Sequence, residues 1–247
     1  MDSFLTAWHF LTAIPLPWRG SGQTDRLASS LTYYPFVGVL MGGLLVLGSI
    51  LCAPFFPKSV TDLLVLFLLI LLSGGIHLDG LADTVDGFSG GARKEEILEI
   101  MRDGRVGSIA VMALFFVLAG KLLLLNQLKG SEESMALLAM PALGRWSMVL
   151  ASYLAPYARQ EGLGKEIIGK VSTRSLGIAS GVLAILLLAT FRTRGLVLFF
   201  LAALGAVFLI RMLSRRIDGM TGDTVGAVGE LSELLFLFLV VGMPRGL

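Results

Sequence analysis

The chain reads as an all-α, multi-pass integral membrane helix bundle of about seven spans, and three observations carry that reading. Of its 247 residues 55% are hydrophobic, and the mean hydropathy is +0.82. Only 15% are charged, against about 25% in soluble domains. Apolar runs long enough to cross a hydrocarbon core of about 30 Å recur along the whole length. No stretch between them exceeds about 30 residues, so a single membrane-embedded domain, 1–247, is expected.

The first element is a short amphipathic helix. Phe4, Leu5, Trp8, Leu11 and Ile14 recur at helical spacing before Pro15 and Pro17 end the pattern, which suits a helix lying in the membrane interface. The segment lacks a basic region, so it is not read as a cleaved signal peptide. His9 reads as a packing or interfacial residue. Residues 19–32 are polar and hold Arg19 and Arg26.

Candidate spans follow at about 33–55, 60–78, 106–126, 135–155, 176–191, 195–213 and 225–243. The fifth is short, and reads as tilted, partial or paired with the sixth; the count is therefore five to seven. In the first span Gly38, Gly42 and Gly43 offer a small-residue face for close helix packing.

Basic residues orient the bundle. With seven spans and the N-terminus inside, inner segments hold thirteen of the twenty Lys and Arg, including Arg93, Arg102, Arg159 and Arg216. Outer segments and span ends hold Lys58, Lys121, Lys129, Arg192, Arg194 and Arg245, and Arg145 falls within a span. The excess predicts N-in, C-out. The same topology gathers Asp79, Asp83, Asp86, Asp103, Asp218 and Asp223 on the inner side, although acidic charges played no part in choosing it.

The net charge of +2 gives no reason to expect nucleic acid. The single cysteine, Cys52, excludes an intrachain disulfide. Hydrolytic triads, zinc-type His/Cys spacings and Walker loops are all missing from the sequence, which argues against those chemistries.

What remains is carboxylate, arginine and glycine. Residues 73–90, Ser-Gly-Gly-Ile-His-Leu-Asp-Gly-Leu-Ala-Asp-Thr-Val-Asp-Gly-Phe-Ser-Gly, follow directly on an apolar run. Asp79, Asp83 and Asp86, spaced by four and three, share one helical stripe. Three like charges at a membrane span need a cation, and hard Mg²⁺ suits carboxylate oxygens while keeping places for phosphate. On an ordinary surface helix the same run would be a solvated face; beside a span it reads as a metal site. Gly74, Gly75, Gly80, Gly87, Gly90 and Gly91 reduce bulk where a ligand or another backbone approaches.

Three further groups join it. Arg102, Asp103 and Arg105 at the entrance to the third span suit a phosphate clamp, or simply a helix entry with snorkelling arginines. In 218–233, Asp223 and Glu230 share a helix face, with Glu233 one turn on; they could take metal or a substrate donor, or form a polar helix contact. Thr221 and Thr224 in that segment are candidate substrate contacts. Arg145, inside a span, should meet one of these carboxylates, for substrate or as a structural ion pair; Tyr153, Tyr157, Arg159, Gly162 and Gly164 follow it. His77 either orients a ligand or packs between helices.

Such a set suits transfer of a diphosphate-activated group: Mg²⁺ neutralises the leaving phosphate, and a carboxylate not committed to metal takes the attacking hydroxyl's proton. Asp83, Asp86 and Asp103 are the catalytic candidates; Asp79, Asp83, Asp86, Asp223 and Glu230 the metal ligands; His77, Arg102, Arg105, Arg145, Thr221 and Thr224 the substrate contacts.

Gly75-Ile-His-Leu-Asp-Gly-Leu-Ala-Asp-Thr-Val-Asp-Gly87, Ile100-Met-Arg-Asp-Gly-Arg-Val-Gly107 and Gly219-Met-Thr-Gly-Asp-Thr-Val-Gly-Ala227 resemble the bacterial cobalamin-5′-phosphate synthases, the adenosylcobinamide-GDP ribazoletransferases. Ile14-Pro-Leu-Pro17 and Tyr34-Pro-Phe-Val-Gly-Val-Leu-Met-Gly42 fit as well, so the resemblance covers nearly the whole chain. It implies a multi-pass inner-membrane enzyme, its active site facing the cytoplasm. That enzyme joins adenosylcobinamide-GDP to α-ribazole or its 5′-phosphate with Mg²⁺ and releases GMP, in the last assembly step of the cobalamin nucleotide loop. On this chain it implies Asp79, Asp83 and Asp86 as leading metal ligands, Asp103 and Asp223 as further acidic members, and Arg102 and Arg105 on phosphates. The one departure is Gly104, where Ser or a similar small residue is expected. The lipid bilayer is an expected partner; a homo-oligomer, or association with other corrinoid-pathway enzymes, stays open.

Rival readings are weaker. A CDP-alcohol phosphotransferase requires Asp-Gly-x-x-Ala-Arg, whereas Asp79-Gly-Leu-Ala-Asp83 has no such Ala-Arg. Prenyl-diphosphate transferases share the Asp logic but not these glycine-rich segments. An ion-coupled transporter predicts mid-span carboxylates and paired broken helices, while the main Asp cluster lies at a span end.

Overall fold

The computed structural model describes residues 2–17 and 25–244. Arg19 and Arg245, both used in the charge count, lie outside the described residues, as does the side chain of Arg26.

The expected N-terminal helix is α1 (Asp2–Leu11). It buries Ala7, Trp8 and Leu11, stacks Phe10 on Tyr34 at 6.1 Å, and the chain beyond it is fixed where the Trp8 indole N–H donates to the Ile14 carbonyl at 3.0 Å. A short α2 (Asp25–Ser30) and a 3-10 turn lead into α3 (Tyr34–Cys52).

Six helices are long and apolar enough to cross a membrane among the described residues. The first runs from Leu27 to the end of α3; the others are α7 (Ser108–Gln127), α8 (Ser131–Leu154), α9 (Thr173–Phe191), α10 (Thr193–Ile217) and α11 (Gly222–Gly242). α4 (Lys58–Ser73) and α5 (Ile76–Gly90) form a seventh, broken by an 88° bend. A short α6 (Lys94–Ile100) links α5 to α7. The bundle therefore matches the expected multi-pass, all-helical architecture of about seven spans. The fifth span is a full helix of 19 residues, joined tightly to α10 at Arg192.

One expected span divides differently. The apolar run 60–78 stops at Ser73 because Gly74 and Gly75 both adopt left-handed backbone, at φ of 65° and 73°, which only glycine takes without strain. α5 then runs antiparallel to α7 and α11: His77 lies beside Gly226, Gly80 beside Asp223, and Asp86 beside Gly107. The carboxylate stripe thus follows the bend onto a helix packed against α7 and α11, and is not appended beyond a complete span.

α8 and α11 form the inner pair, 78% and 61% buried across their apolar windows where the other spans reach 22–33%. The closest crossing is α3 on α8. A Cβ at Gly38 would stand 2.5 Å from the Ala142 Cα, and one at Gly42 2.7 Å from the Leu138 Cα. Gly43, expected on the same face, meets nothing within 4 Å, since it points away from α8. Gly42→Leu is therefore expected to prevent folding into a monodisperse species, whereas Gly43→Leu leaves it intact; size-exclusion profiles of the two variants in detergent check this.

Polar ties mark the two ends of the bundle. At one end Lys58 bridges Asp62 at 2.8 Å and Glu133 at 2.9 Å, and Arg194 holds Glu132 at 2.8 Å. At the other, Arg216 donates to the Phe88 and Gly91 carbonyls, each at 2.9 Å, and Lys94 reaches Asp218 at 3.5 Å.

Candidate active site

α5 presents Asp79, Asp83 and Asp86 along one side, as their spacing predicts, while its opposite side buries His77, Gly80, Leu81, Ala82 and Thr84. The buried side fixes the helix. Gly80 lets it approach α11 so closely that a Cβ would lie 2.9 Å from the Asp223 Cα. Asp79 is exposed; Asp83 and Asp86 are half-buried.

Asp86 is committed elsewhere. Its carboxylate accepts from the Gly107 N–H at 2.6 Å and from the Ala110 N–H at 3.3 Å, satisfying donors that the first turn of α7 leaves open. The metal and catalytic roles expected for Asp86 compete with this cap. Asp86→Asn keeps a good capping side chain and is expected to preserve thermal stability, whereas Asp86→Ala costs about 1–2 kcal/mol; melting curves of both variants decide it.

Asp223 comes from the first turn of α11. Thr221 and Thr224 build that turn reciprocally: the Thr221 hydroxyl accepts from the Thr224 N–H at 3.2 Å, and the Thr224 hydroxyl from the Thr221 N–H at 2.8 Å. Both side chains are fully buried. Instead of facing a ligand, as expected, they set the helix end and place Asp223. The positive end of the helix dipole, with Gly222, then points toward the site.

Arg159 meets Asp223 at 2.9 Å, and the loop that carries it is held by backbone. The Ala158 N–H donates to the Met220 carbonyl at 2.9 Å, and the Met220 N–H to the Pro156 carbonyl at 2.8 Å. The Tyr157 hydroxyl donates to the Glu161 carbonyl at 3.0 Å, and burial raises its pKa above the ordinary phenol value, so it stays a donor. One polar atom of this loop is unanswered: the Arg159 Nε is buried without a protein partner.

Asp223 and Arg159 stand at one side of a cavity of about 280 Å³. Phe10, Tyr34, Met148 and Ile168 supply much of its wall, and His77 reaches it from α5. Asp83 feels the charges of Asp79, Asp223 and Arg159, besides that of Asp86. The stripe, the α11 terminus and Arg159 are therefore one electrostatic unit at the edge of an apolar cavity. Among the described residues no three His, Cys, Asp or Glu side chains converge as a ready-made metal cage.

The remaining expected residues fall into two places. Arg102, Asp103 and Arg105 lie exposed in the turn between α6 and α7. Asp103 is gripped by the Arg105 guanidinium, which lowers its pKa, and Arg102 acts on Tyr157 through its charge. Glu230, expected as a metal ligand, instead sits with Arg145 in a buried quartet. Lys121 bridges Glu230 and Glu233, each at 2.6 Å, and Arg145 pairs with Glu233. Arg145 thus meets a carboxylate as expected, in a structural ion cluster.

Lys121 and Arg159 were the residues sequence reasoning undervalued. Lys121 was counted as an outer span end, yet it is 1% exposed; its place fourteen residues into α7, amid apolar neighbours, was the available signal. Arg159 is one of several loop arginines, and only the pairing of its loop with 219–221 singles it out.

Known proteins are similar to this chain along nearly its whole length. An adenosylcobinamide-GDP ribazoletransferase from Alkaliphilus metalliredigens is 36% identical over 245 residues, covering 98% of this chain and 97% of that protein. One from Clostridium acetobutylicum is 36% identical over 232 residues, covering 94% and 92%. No solved structure matches. Residues 3–241 match the family described as cobalamin-5-phosphate synthase, and with relatives this similar along nearly their whole length the chain belongs to that family.

Proposed function

We propose that this chain transfers the adenosylcobinamide phosphate group from adenosylcobinamide-GDP to α-ribazole or its 5′-phosphate and releases GMP, in the last assembly step of cobalamin. The observation that carries the reading is the Asp223–Arg159 pair in the wall of an apolar cavity, with α5 and its Asp stripe packed onto Asp223 through Gly80. That is a place where a diphosphate and an organic acceptor can lie side by side.

The donor set fits Mg²⁺. This ion binds through one or two carboxylates and completes its shell with water and substrate phosphates. Asp79 and Asp223 are the residues to hold it, and when bound it would supply charge neutralisation on the diphosphate. The chain's own groups do the rest. Arg159 directs guanidinium N–H groups at phosphate oxygens, and the α11 N-terminus adds its dipole. Asp83 takes the proton from the attacking ribazole hydroxyl. The new O–P bond forms at the phosphate next to cobinamide, and the bond to the GMP oxygen breaks.

The excess of basic residues at the end of the bundle holding this site supports a cytoplasmic face of a bacterial inner membrane. Incubating purified protein with adenosylcobinamide-GDP, α-ribazole and Mg²⁺ should release GMP and form cobalamin, and EDTA should stop it. No GMP with every component present overturns the reading; undiminished release in EDTA overturns the metal.

A further inference from the structure

Resting on the activity proposed above, we infer that the cavity beside Arg159 and Asp223 is the seat of the acceptor's flat base, and that His77 reads that base through its free ring nitrogen. His77 lines the cavity and is 5% exposed, and its Nε2 is buried without a partner. A buried polar atom left unmatched costs about 1–3 kcal/mol, so a bound molecule that answers it gains that much selectivity.

The shape and chemistry of the cavity narrow the occupant. Phe10, Tyr34, Met148 and Ile168 form walls suited to a flat apolar ring system. A benzimidazole riboside carries its sugar on one ring nitrogen and leaves the other as an imine acceptor. With its proton on Nε2, His77 donates one hydrogen bond to that acceptor. Guanine, the other base in the reaction, has a carbonyl, a ring N–H and an amino group along its edge. All three would need partners, whereas the benzimidazole asks for a single donor, which His77 supplies.

Position agrees with chemistry. His77 stands beside Gly226, one helical turn beyond Asp223 along α11. A base lodged against His77 therefore leaves its ribose next to Arg159 and Asp223, where an attacking hydroxyl is needed.

The test compares two acceptors, α-ribosyl benzimidazole and α-ribosyl indole, the latter with a C–H in place of the imine nitrogen. Binding to purified protein in detergent is measured by calorimetry, alongside GMP release. Wild type is expected to bind the benzimidazole riboside about 10-fold more tightly. His77→Phe should bring the ratio near one while holding affinity for the indole riboside, and Ile168→Trp, which fills the cavity, should weaken both. A wild-type ratio near one, or a ratio that survives in His77→Phe, overturns the inference. The wild-type comparison stands even if a variant fails to fold. GMP release by wild type combined with no discrimination sinks this assignment alone; no GMP release with any acceptor sinks the activity beneath it.

Discussion

Asp83→Asn is expected to cut GMP release by about 10²–10³-fold, the usual scale for removing one electrostatic contributor at a reacting phosphate. The exchange keeps size and helix geometry and removes one negative charge at the centre of the stripe. Asp83 is the carboxylate that senses Asp79, Asp86, Asp223 and Arg159 together, and no hydrogen bond to the fold commits it. The variant should therefore melt like wild type, since relieving repulsion on α5 offsets any lost attraction to Arg159. Initial rates across a Mg²⁺ titration check this. A metal role raises the Mg²⁺ concentration needed for half-maximal rate, whereas loss of the base lowers the maximum at saturating Mg²⁺. Full activity in Asp83→Asn would move the reaction centre away from the stripe.

Lys121→Met should do the opposite, striking stability before chemistry. Lys121 is buried between Glu230 and Glu233, with Arg145 on the far side of Glu233, so the quartet is neutral only as a set. Removing the ammonium strands a carboxylate, for which about 3–5 kcal/mol is the usual cost. In a chain of this length that corresponds to a fall of about 10 °C in melting temperature. Adding Glu230→Gln restores neutrality and should recover most of the loss, because a buried ion pair itself contributes little net stability. Thermal unfolding of the single and double variants in detergent reads both values. A double variant as weak as the single would mean that Glu230 has another partner that matters more.

Much of the architecture was written in plain hydropathy. Spans, loops and the basic-rich end follow from where apolar residues run and where Lys and Arg gather, because lipid enforces those choices strongly. The stripe on α5 was legible from spacing alone. Less legible was what each carboxylate does, since Asp79, Asp83 and Asp86 look alike in sequence. Only the fold brings the Gly107 and Ala110 N–H groups to Asp86 and leaves Asp83 beside Asp223. The same holds for Glu230, whose partner lies 109 residues earlier in the chain. Thr221 and Thr224 looked like ligand contacts because hydroxyls serve both caps and substrates, and spacing alone does not separate the two uses.

The glycine break between α4 and α5 has a consequence for the surrounding lipid. α4 has 16 residues, which is about 24 Å of helix against a hydrocarbon thickness of about 30 Å. Its outward face shows Leu63, Phe67 and Leu71, while α5 turns inward and contributes little to the lipid-facing wall. An apolar wall of that length matches a bilayer thinner than the usual core, and local thinning is one way the lipid meets it. A thinner bilayer on this flank would shorten the distance that a diphosphate from the aqueous phase crosses to reach the carboxylates.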